Sequence, residues 1–187
     1  MIEYLQSNGL EFTGIFTALL GVFYSIKQHK IAWIWNFVAS CIYGFLFFEV
    51  GLYSDMELQG VFMAMAIYGF VQWNQTEQLW EVTRSSRSNL LLGIVGSLIF
   101  GFASGYFHRE LSNVSLPFLD ATLTGFSIWG TYLAVKKKIE NWLVWIFVDI
   151  LYIGIYIYKG MNGTAVLYAI FLVFAFRGFY AWRKKLS

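Results

Sequence analysis

Trp142, Trp145, Asp149, Tyr152 and Tyr156 follow one another at intervals of three, four, three and four. On a helix that spacing puts all five side chains on one stripe. The stripe is a ladder of aromatic faces around a single acid. Aromatic faces attract cations through the ring quadrupole, and a carboxylate supplies the counter-charge. A flat, positively charged organic molecule fits that chemistry. Asp149 falls near the middle of an apolar run, where a carboxylate facing lipid would cost roughly 3 kcal/mol even on mild insertion scales. It therefore faces the protein interior or water. Packing is the competing reading: such aromatics serve equally as core, and Trp142 and Trp145 suit a membrane-interface belt. The acid favours function, because no Lys or Arg lies at matching depth to pair with it.

The element that holds this stripe is one of seven apolar runs: 11–29, 33–50, 56–74, 89–107, 117–135, 142–158 and 163–182. A spanning helix needs about 20 mostly apolar residues, because the bilayer core is about 30 Å thick and each residue rises about 1.5 Å. The chain is 58% hydrophobic and 13% charged, with a mean hydropathy of +0.59. Soluble domains carry roughly 25% charge, so a soluble fold could not hide this much apolar surface. The connections carry the charges and turn residues. The longest, 74–88, is polar, with a short amphipathic helix expected around Leu79 and Trp80.

The chain also matches itself. Residues 11–73 align without a gap onto 120–182, an offset of 120 − 11 = 109. Thr13 meets Thr122, Gly21 meets Gly130, Trp33 meets Trp142, Tyr43 meets Tyr152, Gly69 meets Gly178 and Trp73 meets Trp182. A duplicated apolar unit is the mark of a transporter built from repeats, with its substrate site between them. The expected fold is all-α and integral to the membrane: a single domain over 1–187, with repeat one at 11–73, a linker helix at 89–107 and repeat two at 120–182. A 3+1+3 order makes the repeats parallel, and the lone helix returns the chain to its starting side. Lys27, Lys30, Arg84, Arg87, Lys136, Lys137, Lys138, Arg183, Lys184 and Lys185 fall on one side, against Arg109 and Lys159 on the other. By the positive-inside rule the N-terminus is outside and the C-terminus cytoplasmic. The basic loops need no nucleic-acid partner.

Other polar faces join the stripe. Asp120, Thr124, Ser127 and Thr131 lie at i, i+4, i+7 and i+11 on the fifth run. That run heads inward and the sixth outward, so Ser127 is expected at the depth of Asp149 and Asp120 nearer the outside. Asp120 also sits in the first turn after Pro117, where an acid suits the helix dipole. The counterpart stripe in repeat one is Trp33, Asn36, Ser40, Tyr43 and Phe47, with Ser40 in the place of Asp149. Gln59 is expected near the outer side and aligns with Tyr168; Gln72 and Asn74 are expected near the inner side. The candidate substrate-binding residues are Trp142, Trp145, Asp149, Tyr152, Ser127, Thr124, Asp120, Gln59, Trp33 and Asn36. Gly51, Gly160, Gly69 and Gly178 read as turn and close-packing positions.

Enzyme signatures are missing. His29 and His108 are expected in loops on opposite sides, and the single cysteine, Cys41, reads as packing. There is no P-loop, Rossmann glycine pattern or nucleophile elbow, and no metal or cofactor is expected. The first residues predict no cleavable signal peptide.

Trp33–Ile–Trp–Asn36, Tyr43–Gly44, Asp55 to Gln59, Tyr68 to Trp73, Glu140 to Asp149 and Gly178 to Trp182 together resemble the PnuC family of bacterial vitamin transporters. The resemblance covers almost the whole chain, and the Glu140–Asp149 motif is fairly specific. It implies a seven-helix inner-membrane protein similar to the sugar-transporting SWEET proteins, commonly a homotrimer. It implies facilitated diffusion, with a cytosolic kinase trapping the product by phosphorylation. It also implies that Trp142, Trp145 and Asp149 line the site. The best-known branch carries nicotinamide riboside; sister branches carry thiamine or riboflavin. The nicotinamide riboside branch favours Asn where this chain has Asp149, which makes thiamine the rival substrate. Both are flat cations, and uncharged riboflavin fits less well. The expected mechanism is rocking of two repeats around a midplane site. The other readings are a non-transporting membrane subunit and an intramembrane enzyme using Asp149 and Asp120.

Overall fold

In the computed structural model, residues 2–49, 53–74, 81–111 and 116–186 are described, and they form seven helices. These are α1 (Ile2–Ile26), α2 (Ile31–Glu49), α3 (Tyr53–Asn74), α4 (Arg87–Leu111), α5 (Pro117–Val135), α6 (Glu140–Tyr158) and α7 (Asn162–Arg183). Each overlaps one expected run, and most run a few residues further because polar first and last turns extend an apolar core. Five of them, α1, α2, α4, α6 and α7, are long and apolar enough to cross a membrane. The other two, α3 and α5, have 22 and 19 residues, also spanning length, but carry more polar side chains. Leu92, Ile99, Phe102 and Phe107 on α4 are all more than 60% exposed, a surface that only lipid or another apolar partner can cover. The chain is a multi-pass membrane protein. The amphipathic helix expected around Leu79 and Trp80 lies outside the described residues.

The chain divides into two compact units, Met1–Trp80 and Glu81–Ser187. In the first, α2 packs against both α1 and α3. In the second, α6 packs against both α5 and α7, and α4 lies along α5. The helix expected to act as a plain return crossing is thus part of the second unit's packing. Small residues allow that contact. Gly93, Ser97, Gly101 and Gly105 recur every fourth position on α4. Trp129 fits over Gly93, Thr122 over Gly101 and Phe118 over Gly105, while Gly125 of α5 sits against the Ser97 backbone. Between α5 and α6 the core is Leu123, Phe126, Leu133, Val144, Val148 and Ile155.

Local geometry recurs at the offset of 109. α1 ends with Gln28 in the left-handed region (φ 59°), and α5 ends with Lys137 there (φ 48°). His29 N–H donates to the Tyr24 carbonyl at 3.0 Å, and Lys138 N–H to that of Leu133 at 2.9 Å. Both are left-handed helix caps that satisfy terminal carbonyls. Each next helix starts alike: Trp33 N–H donates to the Lys30 carbonyl, and Trp142 N–H to that of Ile139. Two other ends follow their sequence signals. Pro117 opens α5 after Leu116, and Gly160 (φ 72°) closes α6 with Met161 N–H donating to the Tyr156 carbonyl at 2.8 Å.

The segment 81–86 before α4 is extended and pinned within the second unit. Val82, 1% exposed, bridges to Leu186, and Thr83 bridges to Lys138. Thr83 N–H donates to the Lys137 carbonyl at 3.2 Å, and Ile139 N–H donates back to the Thr83 carbonyl at 3.0 Å. The Ser85 N–H donates to the Glu140 carboxylate at 2.9 Å.

Candidate transport site

The Asp149 stripe forms as its spacing requires, on α6, the helix at the centre of the second unit. Asp149 is 3% exposed, and no ion pair to it occurs among the described residues. Around it stand tyrosines from two helices. Tyr152 and Tyr156 stack at 5.8 Å between ring centroids with planes 23° apart. Tyr168 of α7 closes the group, 4.9 Å from Tyr152 and 5.2 Å from Tyr156. It lies within electrostatic reach of Asp149 and shares a side-chain hydrogen bond with Tyr156. The three rings pack on one another, and the carboxylate is buried beside this tyrosine cluster; aromatic faces with a nearby carboxylate are the chemistry that attracts organic cations. The sequence stripe contained Tyr156; Tyr168 comes from another helix, and its alignment with Gln59 was the signal that it belonged.

The upper stripe residues have packing partners. The Trp142 ring lies over Gly178, where an added Cβ would come within 2.5 Å. It meets Trp182 edge-on at 5.4 Å and 90°. Its indole N–H is buried with no acceptor among the described residues. Trp145 is half-buried and packs against the core between α5 and α6, and its Nε1 lies 3.4 Å from where a Gly130 Cβ would sit. On α5, Ser127 is buried and its hydroxyl donates to the Leu123 carbonyl at 2.8 Å. Thr131 donates to the Ser127 carbonyl at 2.8 Å. Back-bonding of this kind is the ordinary fate of hydroxyls in membrane helices. Thr124 and Asp120 are half-buried, and Asp120 lies in the first turn of α5 after Pro117.

The first unit repeats the scaffold without the acid. Trp33 lies over Gly69 and meets Trp73 edge-on at 5.3 Å and 86°. Its indole N–H is likewise buried without an acceptor among the described residues. Tyr43 and Phe47 stack at 6.1 Å and 28°, matching Tyr152 and Tyr156. Asn36, at the position of Trp145, turns its amide onto Gly21. Ser40 is buried where the second unit has Asp149. Gln59 of α3 is half-buried, with its Cβ 3.5 Å from where a Gly44 Cβ would sit on α2. Cys41 is exposed and donates to the Met63 sulfur at 3.4 Å, so its packing is at the α2–α3 surface. Among the described residues no group of His, Cys, Asp and Glu could hold a metal ion.

The sequence model of a family described as "Nicotinamide mononucleotide transporter" matches residues 8–184. The chain belongs to this family. Its relatives include the nicotinamide riboside transporter PnuC of Escherichia coli (strain K12) and that of Shigella flexneri. Each is 24% identical over 201 residues, covering 92% of this chain and 84% of the relative. The crystal structure of the vitamin B3 transporter PnuC superposes with a TM-score of 0.76 at 20% identity, over 94% of this chain and 80% of that one. That likeness establishes the fold. These relatives are named as transporters, so this is a family of carriers rather than enzymes.

Proposed function

We propose that the protein carries nicotinamide riboside across the bacterial inner membrane by facilitated diffusion. The observation that carries this reading is the buried carboxylate of Asp149 beside Tyr152, Tyr156 and Tyr168. The pyridinium ring is flat and permanently cationic, so it suits aromatic faces with a carboxylate as counter-charge. A phosphate on the substrate would face repulsion from the same acid, which favours the riboside over the mononucleotide. Asp149, Tyr152 and Trp145 hold the ring in this reading. Trp142, Ser127, Thr124, Asp120, Gln59, Trp33 and Asn36 line the route or set helix spacing. Nothing in the site calls for an energy source, and a cytosolic kinase would trap the product. The recurring turns and indole pairs support two parallel three-helix repeats with all seven helices spanning, N-terminus outside. A homotrimer follows from the family resemblance.

Thiamine is the second reading, favoured by Asp149 standing where the nicotinamide riboside branch has Asn. Uptake into proteoliposomes tests both. Labelled nicotinamide riboside should enter and be competed by unlabelled riboside more than by thiamine. Asp149→Ala should lower uptake at least 10-fold while the protein still elutes as a folded species. Asp149→Asn should keep more of it. Better competition by thiamine would reassign the substrate. Unchanged uptake in Asp149→Ala would remove the acid from the site. Accumulation above the external concentration, with no kinase present, would sink facilitated diffusion.

A further inference from the structure

The second unit holds a cavity away from Asp149. It is a cavity of about 320 Å³ where the first turns of α4 meet the last turn of α5 and the loop after it. That volume is at the lower end of small-molecule sites. Its polar end holds Ser85, Asn89, Lys136 and Lys138; its apolar end holds Leu92 and Trp129. The Lys138 ammonium is held in place, donating to the Thr83 hydroxyl at 2.8 Å and to the Arg84 carbonyl at 3.4 Å. Ser86 caps α4, its hydroxyl accepting from the Asn89 N–H at 3.2 Å. The positive end of the α4 dipole therefore points to the same end as the two lysines. The nearby Glu140 carboxylate is engaged by the Ser85 N–H.

We propose that this cavity binds the headgroup of an anionic phospholipid. The phosphate sits between Lys136, Lys138 and the α4 N-terminus, and an acyl chain runs out along Leu92. Two observations choose lipid over a free anion. Most of the lining surface is apolar, which a free phosphate would leave unused. The apolar part also opens onto Leu92, 70% exposed, and the rest of the exposed apolar surface of α4. Basic pockets between helices at a membrane surface are the usual seat of acidic headgroups. The site is independent of the transported substrate, because it rests on the second unit alone and on the chain being a membrane protein.

The test uses the full chain in neutral detergent, titrated with short-chain phosphatidylglycerol, short-chain phosphatidylcholine or inorganic phosphate. Thermal melting and native mass spectrometry are the readouts. Phosphatidylglycerol should raise the melting temperature to a plateau and stay bound in the gas phase, while phosphatidylcholine at equal concentration should not. Lys136→Gln should weaken the phosphatidylglycerol effect several-fold. Ser85→Asp puts a negative charge at the rim without touching either lysine, and it should do the same if Lys136→Gln fails to fold. Equal shifts from both lipids would overturn the proposal, as would a phosphatidylglycerol shift indifferent to both variants. A full shift from inorganic phosphate alone would make this a free-anion site and overturn the lipid assignment.

Discussion

Lys137 is a half-buried lysine in a left-handed turn, a conformation that most side chains avoid. Burial first, and then the like charge of Lys185, hold its ammonium below the ordinary lysine range. A lowered pKa in the folded state means that the cation is less welcome there than in the unfolded chain. The resulting cost is fully present below the folded pKa and lifts as pH rises through it toward the unfolded value, about 10.4. Lys137→Gln should therefore raise the melting temperature at neutral pH, with the gain shrinking as pH approaches about 10. Melting at two pH values checks this, and an equal gain at both would assign the effect to something other than charge. At this scale the sequence was a good guide along a helix and a poor one across helices. The three-four spacing put Asp149 and Tyr152 on one face, and burial of the acid agrees. The same spacing could not say that Tyr168 would close the group, or that Trp142 would lie over Gly178, because periodicity gives a face and not what covers it.

At the scale of elements, the α4–α5 contact is set by what is missing from its surface. An alanine at Gly101 would put its Cβ against the Thr122 backbone, 2.6 Å from Cα, whereas one at Gly96 would meet nothing within 4 Å. Gly101→Ala should destabilise by about 1–3 kcal/mol, the usual cost of overfilling a tight contact. Gly96→Ala should be neutral or gain up to about 1 kcal/mol from helix propensity. Thermal unfolding in detergent compares them, and equal effects would mean that α4 does not pack on α5 as closely as described. The helices themselves were legible, since apolar runs bounded by charge and turn residues leave little choice. The pairing of α4 with α5 was not, because small residues four apart make a groove without naming its partner. The pinned segment 81–86 was invisible for a different reason: it is held by isolated backbone bonds and single polar side chains from 137–140, and no periodic side-chain pattern records them.

For the whole molecule, ten basic residues on one set of loop ends against two on the other predict a cytosolic C-terminus. A fluorescent protein that matures only in the cytosol should glow when fused after Ser187 and stay dark when inserted after Gly160, in the turn between α6 and α7. The reverse pattern would invert the topology. The two units also share one motif that has an optical consequence. Each holds a pair of indoles near 5.3–5.4 Å, crossed almost at right angles, one of them in dry surroundings. Indoles this close couple their transition dipoles wherever the dipoles are not mutually orthogonal, so each pair should contribute a split circular-dichroism band that is lost with its geometry. The protein therefore carries two built-in, label-free gauges of order, one per unit, readable while the carrier is working.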